Sequence, residues 1–306
     1  MTEPSIAGRP VGLIGLGAMG SGMAGSLRRA GCALHVCDVR EGVAAAFAKA
    51  GGTAAETPAA LAAACDVVIS VVVNAAQTEA VLFGSDGVGG AAAAMRPGSV
   101  FVMCSTVDPN VSIAFERRLE AIGLHYVDAP ISGGAARAAS AEMTVMGAAR
   151  PAAWAIAAPF LQAMAAKVYR LGDCAGNGSK VKIINQLLAG VHIAAAAEAM
   201  ALGLREGVDP AALYEVITHS AGNSWMFENR MAHVLAGDYT PLSAVDIFVK
   251  DLGLVLDTAR ASKFPLPLAS TAHQMFMQAS SAGFATEDDA AVIKIFPGIT
   301  LPPRPA

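Results

Sequence analysis

The sequence predicts an α/β domain built on a parallel sheet, followed by an all-α domain, with a long helix joining the two. Three observations predict this. Short β-branched runs alternate with alanine-rich stretches through the first half. Strand signals stop after Gly178, and helical periodicity then continues to about Ile295. The run Gly176-Asn177-Gly178 interrupts the chain before a long apolar stretch. We therefore expect one domain at residues 1–176 and another at residues 177–306.

Seven runs in the first half are apolar and bounded by turn residues, which is typical of strands covered on both faces. The predicted strands are Val11–Gly15, Ala33–Asp38, Asp66–Val73, Ser99–Cys104, His125–Ala129, Met143–Met146 and Val168–Leu171. The helices expected between them are Met19–Ala30, Val43–Ala50, Pro58–Ala64, Ala75–Leu82, Val111–Ala121 and Pro151–Met164. Strands separated by single helices indicate a parallel sheet. The tail at Pro297–Ala306 has neither pattern.

The composition argues against several classes of protein. Hydrophobic residues make up 54% and charged residues 15% of the chain, which predicts a folded core and hints at a subunit interface. A net charge of -4 without a basic run disfavours a nucleic-acid partner. The five cysteines are scattered without a CxxC pair, and the six histidines lack ligand spacing. We therefore expect free thiols in a reducing cytosol and no metal site.

Two apolar stretches raise the question of a membrane. The N-terminal stretch lacks a basic segment and runs into glycines, so it is interpreted as the first strand rather than a signal peptide. Ile183–Leu204 is nearly continuously apolar but contains Asn185, Gln186, His192 and Glu198. Polar residues at those positions favour a helix buried among other protein helices. We expect a cytoplasmic protein with no membrane partner.

A GxGxxG motif directly follows the first predicted strand and opens the first helix. Gly15 permits a tight turn, Gly17 lets the backbone approach a pyrophosphate, and Gly20 allows the helix to pack closely on the strand. This pattern predicts a Rossmann-type domain that binds a dinucleotide at the positive end of the helix. The loop residues expected to contact the cofactor are Gly15, Leu16, Gly17, Ala18, Met19 and Gly20.

Asp38 ends the second predicted strand, where dinucleotide-binding domains contact the ribose. A carboxylate there accepts hydrogen bonds from the 2′-hydroxyl of NAD and repels the 2′-phosphate of NADP. The alternative is that Asp38 caps the following helix, and Arg40 could contact a 2′-phosphate. The position of Asp38 favours NAD.

Two further strand ends are expected to close over the cofactor, since ligands of such sheets lie beyond the carboxyl ends of the strands. The residues concerned are Val72, Val73 and Asn74 after one strand, and Ser105 and Thr106 after another. On spacing alone, ordinary strand-to-helix turns capped by Asn74 and Thr106 are an equal alternative.

Four segments, in order along the chain, carry a resemblance to a known family. They are Leu13–Ser26, which contains the glycine motif, and the stretches Asp128–Gly134, Gly176–Lys182 and Lys250–Leu252. As a set they resemble the β-hydroxyacid dehydrogenases, which include 3-hydroxyisobutyrate dehydrogenase and tartronate semialdehyde reductase. The runs Lys180–His192, Ala221–Asn229 and Ala244–Leu252 are most similar to the branch of that family that oxidises L-threonate.

The resemblance implies hydride transfer from a small hydroxy acid to NAD, in a protein that forms a homodimer or homotetramer. It implies that Lys182 is the general acid/base and that Thr106 and Lys250 contact the cofactor. The residues implied to hold the substrate carboxylate are Ser132, Gly133 and Gly134, for which a plain glycine turn is the alternative. Many members have proline where Val73 stands and asparagine where Gln186 stands. The substrate hydroxyl is therefore assigned to Gln186 together with Asn185.

The residues around Lys182 support this role independently. Asn185 follows Lys182 at i+3 and Gln186 at i+4, so the three side chains can share one helix face. Partial burial against apolar surface favours the neutral amine, which can take a hydroxyl proton as hydride leaves the carbon. From the residues alone, a solvated lysine at a helix start is the more common situation. Lys180 points to a different face and is interpreted as a surface residue.

The expected reaction is the NAD-dependent oxidation of L-threonate to its 2-oxo acid. Two alternatives within the family are the glycerate/tartronate semialdehyde pair and 3-hydroxyisobutyrate. An imine reductase of the same fold is disfavoured because those enzymes usually lack the lysine found at Lys182. An alternative of a different class is a non-catalytic, NAD-binding regulatory protein.

Overall fold

The structure is a computed structural model that describes residues 5–85 and 87–304. The chain divides into two compact units, Met1–Lys182 and Ile183–Ala306. The domain boundary predicted at residue 176 stays a prediction.

The strands of the first unit include a set that forms one parallel sheet. In the described part of this unit the strands are β1 (Pro10–Ile14), β2 (Ala33–Cys37), β3 (Thr53–Ala54), β4 (Val67–Ser70), β5 (Gly84–Ser85), β6 (Val88–Gly89), β7 (Val100–Met103), β8 (His125–Asp128), β9 (Ile131–Ser132), β10 (Met143–Gly147) and β11 (Ala165–Arg170). Six of them pair in the order β3-β2-β1-β4-β7-β8, all parallel. This is the Rossmann order, whose ligand crevice opens between β1 and β4.

Helices connect these strands and cover both faces of the sheet. They are α1 (Ala18–Arg29), α2 (Val43–Ala48), α3 (Pro58–Ala63), α4 (Ala75–Phe83), α5 (Ala91–Ala94), α6 (Pro109–Glu120), α7 (Gly134–Ala139) and α8 (Pro151–Met164). Strand side chains alternate between two cores, because successive residues of a strand point to opposite faces. Leu13, Ile69 and Val102 lie in one core, and Ile14, Val68 and Phe101 lie in the other.

The last two predicted strands of the first unit exist but lie outside the main sheet. β10 pairs parallel with β11 and antiparallel with β9, forming a separate three-stranded sheet. A single antiparallel bridge between Asp128 and Ala148 connects this sheet to the end of β8. β10 is as apolar and buried as the main strands, whereas β11 contains Lys167 and Arg170 and is largely exposed. The two-residue strands and the four-residue α5 were not predicted, since each is too short for a periodic signal. Helix α7 was not predicted either.

The second unit is helical, as predicted. Helix α9 (Asn177–Arg205) begins in the first unit and continues into the second, where α10 (Pro210–Thr218), α11 (Trp225–Ala236), α12 (Val245–Ala261) and α13 (Pro267–Ala279) follow. A π-helical turn at Ser280–Phe284 and a 3₁₀ helix at Asp289–Ile295 complete the unit. Phe248 of α12 stacks on Phe276 of α13 at 5.2 Å between ring centroids, within the core of this unit.

Helix α9 is long and apolar enough to cross a membrane by length and composition. Half of its most apolar stretch is buried inside the protein. A partly buried core helix can have this length and composition too. Length and composition are therefore only weak evidence that α9 spans a membrane.

Candidate active site

Two glycines of the loop after β1 are required by the protein itself. Gly15 has a φ of +96°, and a Cβ on it would lie 2.4 Å from the carbonyl oxygen of Val71. A Cβ on Gly20 would lie 1.8 Å from the carbonyl oxygen of Gly15. Neither position accommodates a side chain without moving the backbone, because real Cβ atoms do not approach oxygen so closely.

Gly17 differs from these two glycines. It is exposed, and a Cβ built on it meets no protein atom within 4 Å. Within residues 5–85 and 87–304, no side chain caps the start of α1, and its first turn contains no acidic residue. Open space beside a helix start with its positive end unmasked suits the close approach of a pyrophosphate.

Asp38 lies directly beside this loop. Its carboxylate accepts hydrogen bonds from the backbone N–H of Leu16 at 2.7 Å and from Nε of Arg40 at 2.9 Å. The hydrogen bonds from the Arg40 side chain are the largest cause that lowers the pKa of Asp38, to about 2. The N-cap position of α2 is Gly42, and no side chain caps this helix, so Asp38 does not cap it. The end of β2 therefore presents an ionised carboxylate, paired with Arg40, next to the glycine loop.

The ends of β4 and β7 are tied together by hydroxyl groups. Ser105 Oγ donates to the carbonyl oxygen of Val72 at 2.7 Å and accepts from Thr78 Oγ1 at 3.1 Å. The two predicted cofactor-contacting segments are thus neighbours on the rim of the sheet. Thr106, next in the chain, is half-buried.

The segment after β4 also has the capping role that spacing alone allowed. Asn74 Oδ1 accepts from the backbone N–H of Gln77 at 2.8 Å and so caps α4. Gln77 returns the contact, because its Oε1 accepts from the N–H of Val73 at 2.9 Å. Cofactor contacts by residues 72–74 stay a prediction.

The predicted carboxylate-binding turn lies between β9 and α7. Ser132 pairs with Thr144 across the small sheet. Gly133 and Gly134 have φ values of +139° and +77°, a backbone conformation that favours glycine. A Cβ on Gly134 meets no protein atom within 4 Å, so this turn, like Gly17, has open space beside its backbone.

One further glycine joins the cofactor loop to this turn. A Cβ on Gly22 of α1 would lie 2.6 Å from the backbone of Ala138 and Ala139 in α7. Arg29 Nη2 also donates to the carbonyl oxygen of Ala139 at 2.7 Å. The helices that follow the two motifs therefore pack backbone against backbone. This role of Gly22 was not predicted, although a glycine two residues after Gly20 was the available signal.

The lysine segment is anchored by a carboxylate that the sequence analysis did not assign. Oδ2 of Asp128 accepts from the backbone N–H groups of Gly176 at 2.8 Å and Ser179 at 2.9 Å. Oδ1 accepts from Ser179 Oγ at 2.7 Å. Asp128 is fully buried, and burial raises the pKa of its carboxyl. Three residues after Ser179 stands Lys182, which is only 6% exposed. Lys182 is thus not a solvated lysine, whereas Lys180 is exposed, as predicted.

In the second unit, a buried carboxylate connects two predicted site residues. Gln186 Nε2 donates to Oδ2 of Asp251, and Gln186 Oε1 accepts from Asn185 Nδ2 at 2.9 Å. Nζ of Lys250 forms an ion pair with Oδ1 of the same Asp251. Asp251 is 2% exposed, so the pair is not a surface ion pair. Its signal in the sequence was the Lys-Asp dipeptide itself.

Each of the five cysteines carries a free thiol. In the part of the chain that the structure describes, no group of three or more histidine, cysteine or acidic side chains could hold a metal ion.

Two sequence families together match most of the chain. Residues 10–172 match the family described as the NAD binding domain of 6-phosphogluconate dehydrogenase. Residues 176–296 match the family described as NAD-binding of NADP-dependent 3-hydroxyisobutyrate dehydrogenase.

Individual relatives cover nearly the whole length of the chain. An L-threonate dehydrogenase of Cupriavidus necator is 67% identical over 96% of this chain and 98% of its own. An L-threonate dehydrogenase of Escherichia coli is 53% identical over 95% of this chain and 96% of its own. A crystal structure described as 3-hydroxyisobutyrate dehydrogenase from Salmonella typhimurium is 53% identical, with a TM-score of 0.89 over 94% of this chain and 99% of that chain.

Proposed function

The chain belongs to the β-hydroxyacid dehydrogenase family and is an NAD-dependent hydroxyacid oxidoreductase, and we propose that it oxidises L-threonate at the C2 hydroxyl to the 2-oxo acid. The observation that carries this substrate is the high identity, over nearly the full length, with L-threonate dehydrogenases. Other small hydroxy acids would be oxidised by the same transfer of a hydride and a proton, and L-threonate is proposed as the preferred acid among them.

The first unit has features that fit NAD. The open space at Gly17 leaves room for a pyrophosphate beside the unmasked start of α1. The ionised Asp38 lies beside the loop, where a ribose 2′-hydroxyl can donate to it. NAD, when bound, accepts the hydride that leaves C2. Contacts from Leu16, Ala18, Met19, the 72–74 segment, Thr106 and Lys250 are part of this proposal.

We assign Lys182 as the group that takes the hydroxyl proton. Lys182 is only 6% exposed, and a lysine amine in its neutral form can accept the proton of a hydroxyl. The turn Ser132–Gly134 is assigned to the substrate carboxylate, because backbone N–H groups without a hindering Cβ can approach an anion closely. Asn185 and Gln186 are assigned to the substrate hydroxyls.

The amides of Asn185 and Gln186 provide the physical argument for a polyhydroxy acid. Gln186 is already bonded to Asp251 and Asn185 within the protein. Each amide has more donor and acceptor positions than these contacts use, so it can also bind a substrate hydroxyl, whereas it gains nothing from a methyl group. L-Threonate carries hydroxyls beside C2, whereas 3-hydroxyisobutyrate carries a methyl group. The pair should therefore favour the sugar acid.

A substrate panel tests the proposal. Purified protein is assayed for NADH formation with L-threonate, D-erythronate, D-glycerate and 3-hydroxyisobutyrate, and kcat/KM is compared. We expect the highest value for L-threonate. A higher value for glycerate or 3-hydroxyisobutyrate would refute the substrate while leaving the enzyme class intact. NAD binding without turnover of any acid would instead favour the regulatory alternative.

We further propose that the protein acts in the cytoplasm as a homodimer or homotetramer. In support, α9 carries large apolar side chains that are exposed in the single chain: Ile184 is 62%, Leu188 51% and Leu202 61% exposed. Apolar side chains aligned along one helix are typical of a helix–helix contact between subunits. Light scattering on the purified protein and on the Ile184→Glu/Leu188→Glu variant tests this, and an unchanged mass in the variant would exclude this surface.

A further inference from the structure

We infer that Asp128 is a positioning residue for Lys182, an inference that rests on the proposed role of that lysine. Asp128 has no assigned contact with substrate or cofactor. It holds the first turn of α9, and through that turn it sets where the lysine amine stands.

The carboxylate of Asp128 uses both oxygens on one short segment. Oδ2 accepts from the N–H groups of Gly176 and Ser179, and Oδ1 accepts from the hydroxyl of Ser179. Ser179 is 1% exposed and Asp128 is fully buried, so water does not compete for these hydrogen bonds. Breaking any of these hydrogen bonds is costly, because the groups released are buried and find no water to replace the lost partner.

The two glycines of this segment, Gly176 and Gly178, allow its backbone to lie close to the strand ends. A Cβ on Gly178 would lie 2.3 Å from the carbonyl oxygen of Met146 and 2.8 Å from that of Asp128. Gly176 has a φ of +92°, and a Cβ there would lie 2.9 Å from Ile113 Cδ1. The start of α9 can thus rest directly on the ends of β8 and β10.

Lys182 follows this anchored turn closely. Lys182 lies three positions after Ser179 in the helix, a rise of about 4.5 Å, so a tilt or unwinding of the first turn moves the amine. The backbone of Asp128 is itself fixed, because its N–H donates to Ala148 at 3.0 Å and its carbonyl oxygen accepts from Ala148 N–H at 2.8 Å. Four residues further on, the same strand end leads into Ser132. Asp128 therefore fixes the position of Lys182 relative to the turn proposed to hold the substrate carboxylate.

The test compares Asp128→Ala, Asp128→Asn and Ser179→Ala. Asparagine can keep the geometry, since its oxygen can accept the two N–H groups while its amide donates to Ser179 Oγ. We expect Asp128→Ala to lower kcat by about 100-fold, the usual cost of a displacement of about 1 Å at a reacting centre. Asp128→Asn should recover most of that loss, and Ser179→Ala should fall between them. The NAD dissociation constant should stay within about twofold of wild type in each.

The two double variants Lys182→Ala/Asp128→Ala and Lys182→Ala/Ser179→Ala separate positioning from a general structural role. If Asp128 acts through the lysine, removing the anchor in the Lys182→Ala protein lowers kcat no further. A further drop in both double variants would overturn the inference, as would normal kcat in folded Asp128→Ala. Should Asp128→Ala not fold, Ser179→Ala and its double variant give the same comparison. Near-normal turnover of Lys182→Ala alone would instead refute the proposed function.

Discussion

The start of α1 and the start of α9 use the same physics for different purposes. Both begin at a glycine-rich segment, and both present backbone N–H groups at the positive end of a helix. At α1, the described side chains leave this end uncapped, with an exposed Gly17 beside it. At α9, a carboxylate of the protein itself, that of Asp128, already accepts from Gly176 and Ser179. The first end is suited to an external anion, and the second serves to hold a side chain in place.

If this contrast is correct, substitutions in the two segments should change different kinetic quantities. Changes in the α9 segment should lower turnover at saturating cofactor, and changes in the glycine loop should weaken cofactor binding. The following predictions are arranged from the largest expected effect to the smallest.

Replacing Lys182 should have the largest effect. We expect Lys182→Ala to lower kcat by a factor of about 10²–10⁴, the usual contribution of a positioned acid/base. The NAD dissociation constant should stay close to wild type. The control is Lys180→Ala, which removes an exposed lysine two residues away and should retain full turnover. Loss of cofactor binding in Lys182→Ala would show that the two segments are not separable.

Replacing Gly17 should act on binding instead. Gly17→Ala introduces a methyl group into open space at an ordinary φ of -68°, so the unfolding free energy should change by less than about 0.5 kcal/mol. The NAD dissociation constant should rise about 10–100-fold, or about 1.4–2.7 kcal/mol. Gly222→Ala, which also places a methyl group in open space, is the matched control.

Replacing the neighbouring Gly20 should lower the stability of the fold, which replacing Gly17 should leave nearly unchanged. Gly20→Ala forces a Cβ against the Gly15 carbonyl oxygen and should destabilise the fold by about 2–4 kcal/mol. Thermal unfolding measures both effects. If Gly17→Ala bound NAD normally, the pyrophosphate would not pass over this glycine.

Asp38 should decide between the two cofactors. We expect wild type to prefer NAD in kcat/KM, and Asp38→Asn to raise kcat/KM for NADP by about tenfold, since a carboxylate no longer faces the 2′-phosphate. Arg40 stays available in that variant, so Asp38→Asn/Arg40→Ala should lose the gain. A wild-type protein that uses NADP equally well would mean that Arg40, not Asp38, dominates the ribose site.

The two carboxylates should also affect stability with opposite dependence on pH. The pKa of Asp38 is lowered to about 2, so its stabilising contribution is complete above its ordinary value and is lost as the pH falls through about 2. The pKa of Asp128 is raised, so its contribution is complete below its ordinary value and is lost as the pH rises through the raised pKa.

Chemical denaturation at pH 3 to 7 checks this small effect. The stability of wild type relative to Asp38→Asn should increase with pH and then level off. Relative to Asp128→Asn, it should decrease over the range above 3.8, the ordinary pKa of the carboxyl. Parallel slopes for the two variants would contradict the different environments of the two carboxylates.

The glycine loop could be predicted from the sequence because its parts are contiguous. Gly15, Gly17 and Gly20 lie within six residues of one another, between a strongly patterned strand and the helix that Gly20 belongs to. The parallel sheet followed from the same local patterning. What the residue pattern could not give was the assignment of strands to sheets, since β10 has the same apolar and buried character as the main strands and yet pairs in a different sheet.

The anchors of the site were missed for a related reason. Asp128 lies 51 residues before Ser179, and Asp251 lies 65 residues after Gln186. Spacing along the chain predicts neighbours only within one helix or strand, so contacts between distant segments leave no local pattern. Both acids were inside the stretches that carried the family resemblance, yet the resemblance assigned roles only to the residues beside them.

The crossing of α1 and α7 at Gly22 has a consequence for redesign of the substrate range. The two backbones touch there, so no side chain lies between the helices. The distance between α1 and α7 therefore cannot be adjusted by substituting a side chain at the crossing. Residues 132–134 lead into α7, and α7 packs directly on α1, the helix that follows the cofactor loop. Variants of residues 132–134 should therefore often lose cofactor binding together with substrate binding. Variation at Asn185 and Gln186, on a different helix, offers changes in acid preference that leave this crossing untouched. Directed evolution of this scaffold should accumulate its useful substitutions there first.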